Sequence, residues 1–132
     1  MKIKKLSALL LIAVTMFAAC SKDKDDDVSI VGFWKGKYGS PLTTYPTNGY
    51  CFLFRSNGTV RVFDGTDTTT ASKAEGTYTV SGTTVNTTYS YITGGSQYST
   101  TGTVDSKFTF IEGTWGPGTN ATSSGRFFIN KQ

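Results

Sequence analysis

Beyond residue 28, apolar and polar side chains alternate with a period of two, and each alternating run stops at turn-forming residues. Ile30, Gly32, Trp34, Gly36 and Tyr38 share one face of a first run, and Tyr50, Phe52 and Phe54 one face of a second. This is the pattern of strands with one buried and one solvated face. Ser56-Asn57-Gly58 predicts a hairpin turn, because Asn-Gly tolerates the positive backbone angles that tight hairpins need. Val60 and Val62 carry a third strand to Asp64-Gly65; after a polar loop over 66–74, Gly76 to Val80 forms a fourth that turns at Ser81-Gly82. Val85, Thr87, Tyr89 and Tyr91 mark the fifth, Gly94-Gly95 a turn, and Tyr98 to Val104 the sixth, which turns at Asp105-Ser106. The seventh is expected to carry Phe108 and Phe110 on one face and Ile111 and Trp115 on the other; a loop over 116–125 then leads to an eighth, Arg126 to Asn130.

Eight successive strands joined mostly by short turns can hide their edges by closing into an antiparallel up-and-down barrel. A β-sandwich is the alternative, but its Greek-key connections need a long crossover. Trp34, Tyr38, Phe52, Phe54, Tyr78, Tyr89, Phe108, Phe110 and Phe127 are the bulky inward candidates. An eight-stranded interior is just wide enough for side chains to fill, so a packed lumen is expected, with any ligand at the open rim or on an outer face. Composition agrees with an all-β reading. After Val28 there are two Leu, three Ala and no Met, too few for an amphipathic helical core. A length of 132 residues fits one domain.

The beginning of the chain has a different character. Lys2, Lys4 and Lys5 precede an apolar run from Leu6 to Ala19, which reads as a secretory signal peptide too short to span a bilayer at ~20 residues. Phe17-Ala18-Ala19-Cys20 resembles the bacterial lipobox, in which the cysteine receives diacylglycerol, and usually a further acyl chain such as palmitate, as the signal is removed. More than one chain makes stable anchoring. Ser21-Lys22-Asp23-Lys24-Asp25-Asp26-Asp27 has no apolar residue and reads as a solvated tether. A Ser or Lys followed by acidic residues beside a lipidated cysteine also resembles the surface-export signal of Bacteroidetes lipoproteins; a plain spacer is the alternative. The expected organisation is a signal over 1–19, a lipidated Cys20 and tether over 20–27, and a barrel over 28–132, held at the outer membrane and facing the cell surface.

Processing also changes the charge. The formal +4 counts thirteen basic and nine acidic side chains; without Lys2, Lys4 and Lys5 it falls to +1. Basic residues in the barrel are scattered singly, which argues against nucleic acid. Histidine is absent, which removes Ser-His and Cys-His nucleophile pairs, His-ligated metals and the commonest general base near neutral pH. Asp64, Asp67 and Asp105 fall at turns, where Asp bonds the local backbone, and the only other carboxylates in the barrel are Glu75 and Glu112. Asp64-Gly65-Thr66-Asp67 is too sparse for a calcium loop. Cys51 has no base beside it and no partner once Cys20 is lipidated, so it reads as a small strand residue. No enzyme, cofactor or metal is expected.

Ile30-Val31-Gly32-Phe33-Trp34-Lys35-Gly36-Lys37-Tyr38 is similar to the Gly-x-Trp opening of lipocalins and related calycin barrels. The resemblance implies that Trp34 plugs the closed end and that a basic residue of the last strand packs over its indole, with Arg126 the first candidate and Lys131 the second. The chain is shorter than lipocalins and lacks their C-terminal helix and disulfide, so it looks more like compact lipocalin-like lipoproteins of Bacteroidetes than a large-cupped carrier. Ile111-Glu112-Gly113-Thr114-Trp115 echoes the opening motif. Trp115 beside a polar loop that includes Asn120 could stack on a sugar ring, although a core Trp at a strand end is the plainer reading. Trp115, Asn120 and Tyr91 are therefore the candidate ligand contacts, for a glycan, a small apolar molecule or a protein. Asp67-Thr68-Thr69 resembles the O-glycosylation pattern of Bacteroides envelope proteins, which marks Thr68.

Overall fold

The computed structural model describes residues 28–132. The signal over 1–19, Cys20 and the tether over 20–27 lie outside the described residues. From Val28 onward the chain is all-β, with eight strands: β1 (Gly32–Gly39), β2 (Asn48–Phe54), β3 (Thr59–Asp64), β4 (Ser72–Ser81), β5 (Thr84–Tyr91), β6 (Gln97–Val104), β7 (Phe110–Pro117) and β8 (Gly125–Lys131). Each strand pairs antiparallel with the next, and β1 pairs with β8, giving a closed up-and-down barrel rather than a sandwich.

The period-two faces determine the packing. Trp34, Phe52, Phe54, Val60, Val62, Val104, Ile111 and Ile129 point inward and are almost completely buried. Phe52 stacks on Phe54 at 5.6 Å and on Phe127 at 6.0 Å, so aromatic rings fill the middle of the lumen. The outer wall alternates Lys35, Lys37, Thr77, Thr79, Asn86 and Glu112 at exposed positions. That is the inverse of a lipid-facing barrel, whose outside is apolar.

Phe110 is not inward, and Phe108, although it packs against the core, does so from outside the strand. Phe110 lies on the outer face, stacked on Phe128 at 6.5 Å, because β7 begins there and Ile111, not Phe110, is in register with inward Ile129. Phe108 is not in a strand; it sits at φ 53° in the turn that Asp105 organises by accepting hydrogen bonds from the Thr109 and Phe110 amides. The fourth strand also starts earlier than its pattern suggested, since Ser72, Lys73 and Ala74 pair with Asp64, Phe63 and Val62.

Narrow closure demands inward positions without side chains. A Cβ at Gly36 would fall 1.9 Å from the carbonyl oxygen of Phe128, and one at Gly76 1.9 Å from that of Thr88. Neighbouring backbones cross there too closely for any other residue. Gly76→Ala is expected to destabilise the fold by about 3 kcal/mol in urea unfolding, the upper range for overpacking. Gly94→Ala, at φ 85° in open space, should cost only ~1–2 kcal/mol from backbone conformation. Equal losses would remove the steric explanation.

Candidate functional site

Because strands alternate in direction, the ends of odd strands and the starts of even strands share one rim. At the other rim, Trp34 is completely buried; its Nε1 donates to the Ile30 carbonyl at 2.8 Å, and its ring meets Phe54 edge-on at 6.1 Å. The basic partner is Lys131 and not Arg126. Trp34 stands near the start of β1, so the antiparallel register sets it opposite the end of β8, whereas Arg126 is opposite Gly39 on the outer wall. Lys131 Nζ lies 6.0 Å from the ring centroid and donates to the Ser29 carbonyl at 2.6 Å, binding the incoming chain across the base. At that distance the cation contributes ~0.5 kcal/mol.

The opposite rim is open and phenolic. Tyr38 from β1, Tyr50 from β2, Asp64 from β3, Tyr89 and Tyr91 from β5, Tyr98 from β6 and Trp115 from β7 line a cup of about 100 Å³. Tyr91 meets Tyr98 edge-on at 5.8 Å, Trp115 meets Tyr38 edge-on at 5.5 Å, and Tyr98 lies 6.0 Å from Trp115. Hydrogen bonds fix the rings. Trp115 Nε1 donates to the Gly39 carbonyl at 3.1 Å, Tyr38 donates to Asp64 Oδ1 at 2.7 Å, and the Tyr50 and Tyr89 hydroxyls bond each other beneath them. Lower in the lumen, the buried hydroxyls of Thr87 and Thr100 pair at 2.6 Å.

The candidate contacts thus separate. Trp115 and Tyr91 lie together in the cup, with Trp115 half-buried. Asn120 does not reach it: the loop after β7 folds along the outer wall, where the Asn120 carbonyl occupies the space a Cβ at Gly116 would need. Thr68 lies on the β3–β4 rim loop and is half-buried. Asp67, next to it, is a turn aspartate that accepts from the Thr69 amide and hydroxyl, and Asp105 plays the same part at the other rim. Asp64 is not a turn aspartate, since it ends β3 and takes its hydrogen bond from Tyr38 across the cup. Sequence reasoning assigned Tyr38 and Tyr89 to the lumen and gave Tyr50 and Tyr98 no site role. The missed signal is that phenols occupy the upper inward positions of four strands, while apolar side chains occupy the lower ones.

Glu75 and Cys51 lie outside the cup. Glu75 pairs with Arg55 at 2.9 Å and also with Arg61, which holds its carboxyl below the usual range. Cys51 is buried between the register positions of Lys35 and Phe63, and burial pushes its thiol up. Among the described residues no three Cys, Asp or Glu side chains converge as metal ligands do. A larger cavity of about 430 Å³ lies on the outer wall, bounded by Tyr45, Pro46, Phe110, Phe128 and Arg126. It is an open groove whose aromatic floor is edged by Thr44, Glu112, Arg126 and Asn130.

Compared with known proteins, the chain matches no family model, no curated protein and no solved structure.

Burial, with Asp64 adding to it, pushes the Tyr38 phenol up to about 12 and raises Tyr91 still further; burial likewise raises Tyr50 and Tyr89. A folded-state value above the unfolded one, ~10, means that the protonated phenols stabilise the fold fully below pH ~10. That contribution is lost as pH rises through the folded-state values. Ionisation of Tyr38, Tyr50, Tyr89 and Tyr91, followed ring by ring in nuclear magnetic resonance spectra, is therefore expected to appear only together with loss of the near-ultraviolet circular dichroism. Ionisation at pH ~10 with the tertiary signal intact would show that these rings are not buried together.

Proposed function

We propose that the chain is an outer-membrane lipoprotein, lipidated at Cys20 and facing the cell surface, whose barrel is a non-catalytic, lipocalin-like module that holds a small ligand at its open rim. The observation that carries this reading is the cup itself, where one carboxylate, five phenols and an indole from six strands converge on one concave space. Recognition sites combine apolar and aromatic walls with a few fixed polar groups, and this rim has both. Binding rather than catalysis is favoured because the sequence has no histidine and the cup's only carboxylate has no second carboxylate beside it.

Orientation supports the same reading. Val28 enters at the closed end beside Ser29 and Ile30, so the cup opens at the end away from the anchor. The eight residue steps from Cys20 to Val28 reach at most about 28 Å, enough to hold the barrel clear of lipid headgroups. One observation favours a second reading, an envelope protein or inhibitor that contacts a protein instead: the outer groove exposes Tyr45 at 72%.

Replacing Cys20 with Ala should release the protein from the membrane fraction or leave it unprocessed; unchanged fractionation would sink the lipoprotein reading. For the rim, the fluorescence difference between the full chain and its Trp115→Phe variant isolates one indole. Saturable change of that difference signal with small ligands, abolished in Tyr91→Ala, is the expected result. A dry, unresponsive rim across sugars, small apolar molecules and charged small molecules would transfer the case to the outer groove.

A further inference from the structure

The hydrogen-bonding capacity of the cup is mostly committed within the protein. The Tyr38 hydroxyl is held by Asp64, the Tyr50 and Tyr89 hydroxyls by each other, and the Trp115 N–H by Gly39. No Asn, Gln or Arg side chain lines the space. A neutral sugar needs several free donors and acceptors, and only the Tyr91 and Tyr98 hydroxyls of the cup are left without a partner among the described residues; an anion needs a positive wall, and no Lys or Arg lines the space. Negative charge and aromatic rings dominate what remains. Asp64 is the only carboxylate lining the cup, and among the described residues it makes no ion pair: Arg55 and Arg61 are taken by Glu75, and Lys73, which lines the adjoining groove, donates to the Thr69 and Ala71 carbonyls.

We propose that the cup takes the ammonium head of an organic cation, with Asp64 as counter-ion and the rings of Tyr38, Tyr91, Tyr98 and Trp115 as its walls. The proposal rests on the rim-binding reading and names the ligand class for it. Aromatic rings attract cations through the negative potential of their faces, most strongly when the cation is desolvated, and quaternary ammonium groups are the ligands that ring cages suit best. Size agrees with this assignment. At about 100 Å³ the cup holds the volume of roughly three waters, room for a head group and not for a whole ligand, whose usual site is ~300 Å³ or more. Asp64, Tyr91 and Tyr98 also line an adjoining polar groove of about 280 Å³ that ends at Ser72, Lys73 and Ser96. The remainder of the ligand would lie there, its polar groups facing hydroxyls and one lysine.

The test uses the full chain in a polyoxyethylene detergent, which carries neither sugar nor ammonium. Choline chloride and tetramethylammonium chloride are titrated against the Trp115 difference signal, beside dimethylbutanol, in which carbon replaces the nitrogen of choline, and a panel of neutral sugars. Both cations should saturate the signal, with the uncharged isostere weaker by about tenfold or more, the factor for losing a desolvated cation contact. Asp64→Asn, at an exposed position that leaves the lumen untouched, should weaken choline by about the same factor while the circular dichroism is unchanged. Equal binding of choline and its isostere, or silence from both cations, would overturn the proposal. Sugars that still titrate the indole after such a failure would leave the rim-binding reading standing without it.

Discussion

The pairing of β1 with β8 is the constraint on which the other features depend. A sheet of eight short strands has two free edges, and each edge is a row of unpaired amides and carbonyls. Here the first strand satisfies the last in a continuous register from Trp34 opposite Lys131 to Gly39 opposite Arg126, so no edge remains. Closure at this strand number leaves an interior one layer of side chains wide. Large rings can fill that interior only if other inward positions carry nothing, and Gly36, Gly76 and Gly113 are such positions: a Cβ at any of them would strike the carbonyl of the adjacent strand. The same closure brings Lys131 over Trp34 and lets Trp115 donate to the Gly39 carbonyl.

Closure also gives the barrel two unlike ends. The rim where the chain enters is apolar and plugged, with Trp34, Phe54 and Ile30 buried against one another's strands and Lys131 tied to Ser29. At the far rim the rings become phenols, and a carboxylate completes the circle. Phenols suit that place because each has an apolar body to pack and a hydroxyl to satisfy near water. Their hydrogen bonds are made mostly within the protein, which keeps the rings fixed and leaves an electrostatically one-sided space.

Much of this was legible in particular residues. Tyr50, Phe52 and Phe54 announce an inward face by spacing alone, and Asn57-Gly58 announces the turn after it, since Gly58 does take φ 80°. Trp34 as a plug followed from its place in the opening motif, and Trp115 and Tyr91 were singled out from their rings. Asn120 was drawn to Trp115 by sequence proximity, yet its loop folds over the outer wall, where its carbonyl packs against Gly116. Phe110 reads as an inward ring in any window that starts the seventh strand at Phe108; only the backbone at φ 53° breaks that phase. Asp64 looked like a turn residue because Gly65 follows it, but the strand continues to Asp64 and its side chain crosses to Tyr38.

The sequence by itself determined that the domain is all-β, that it has eight strands, and which side of most strands is buried. Those are local properties: period-two alternation follows from half-burial, and turns follow from the few residues that accept their backbone angles. The tertiary structure decided everything that joins distant positions. It chose Lys131 over Arg126, gathered Tyr38, Asp64, Tyr91, Tyr98 and Trp115 at one rim, and sent Asn120 and Phe110 outside. Register and closure decide such meetings. They are set by backbone pairing between strands as far apart as residues 34 and 131, and a one-residue shift would turn each face over.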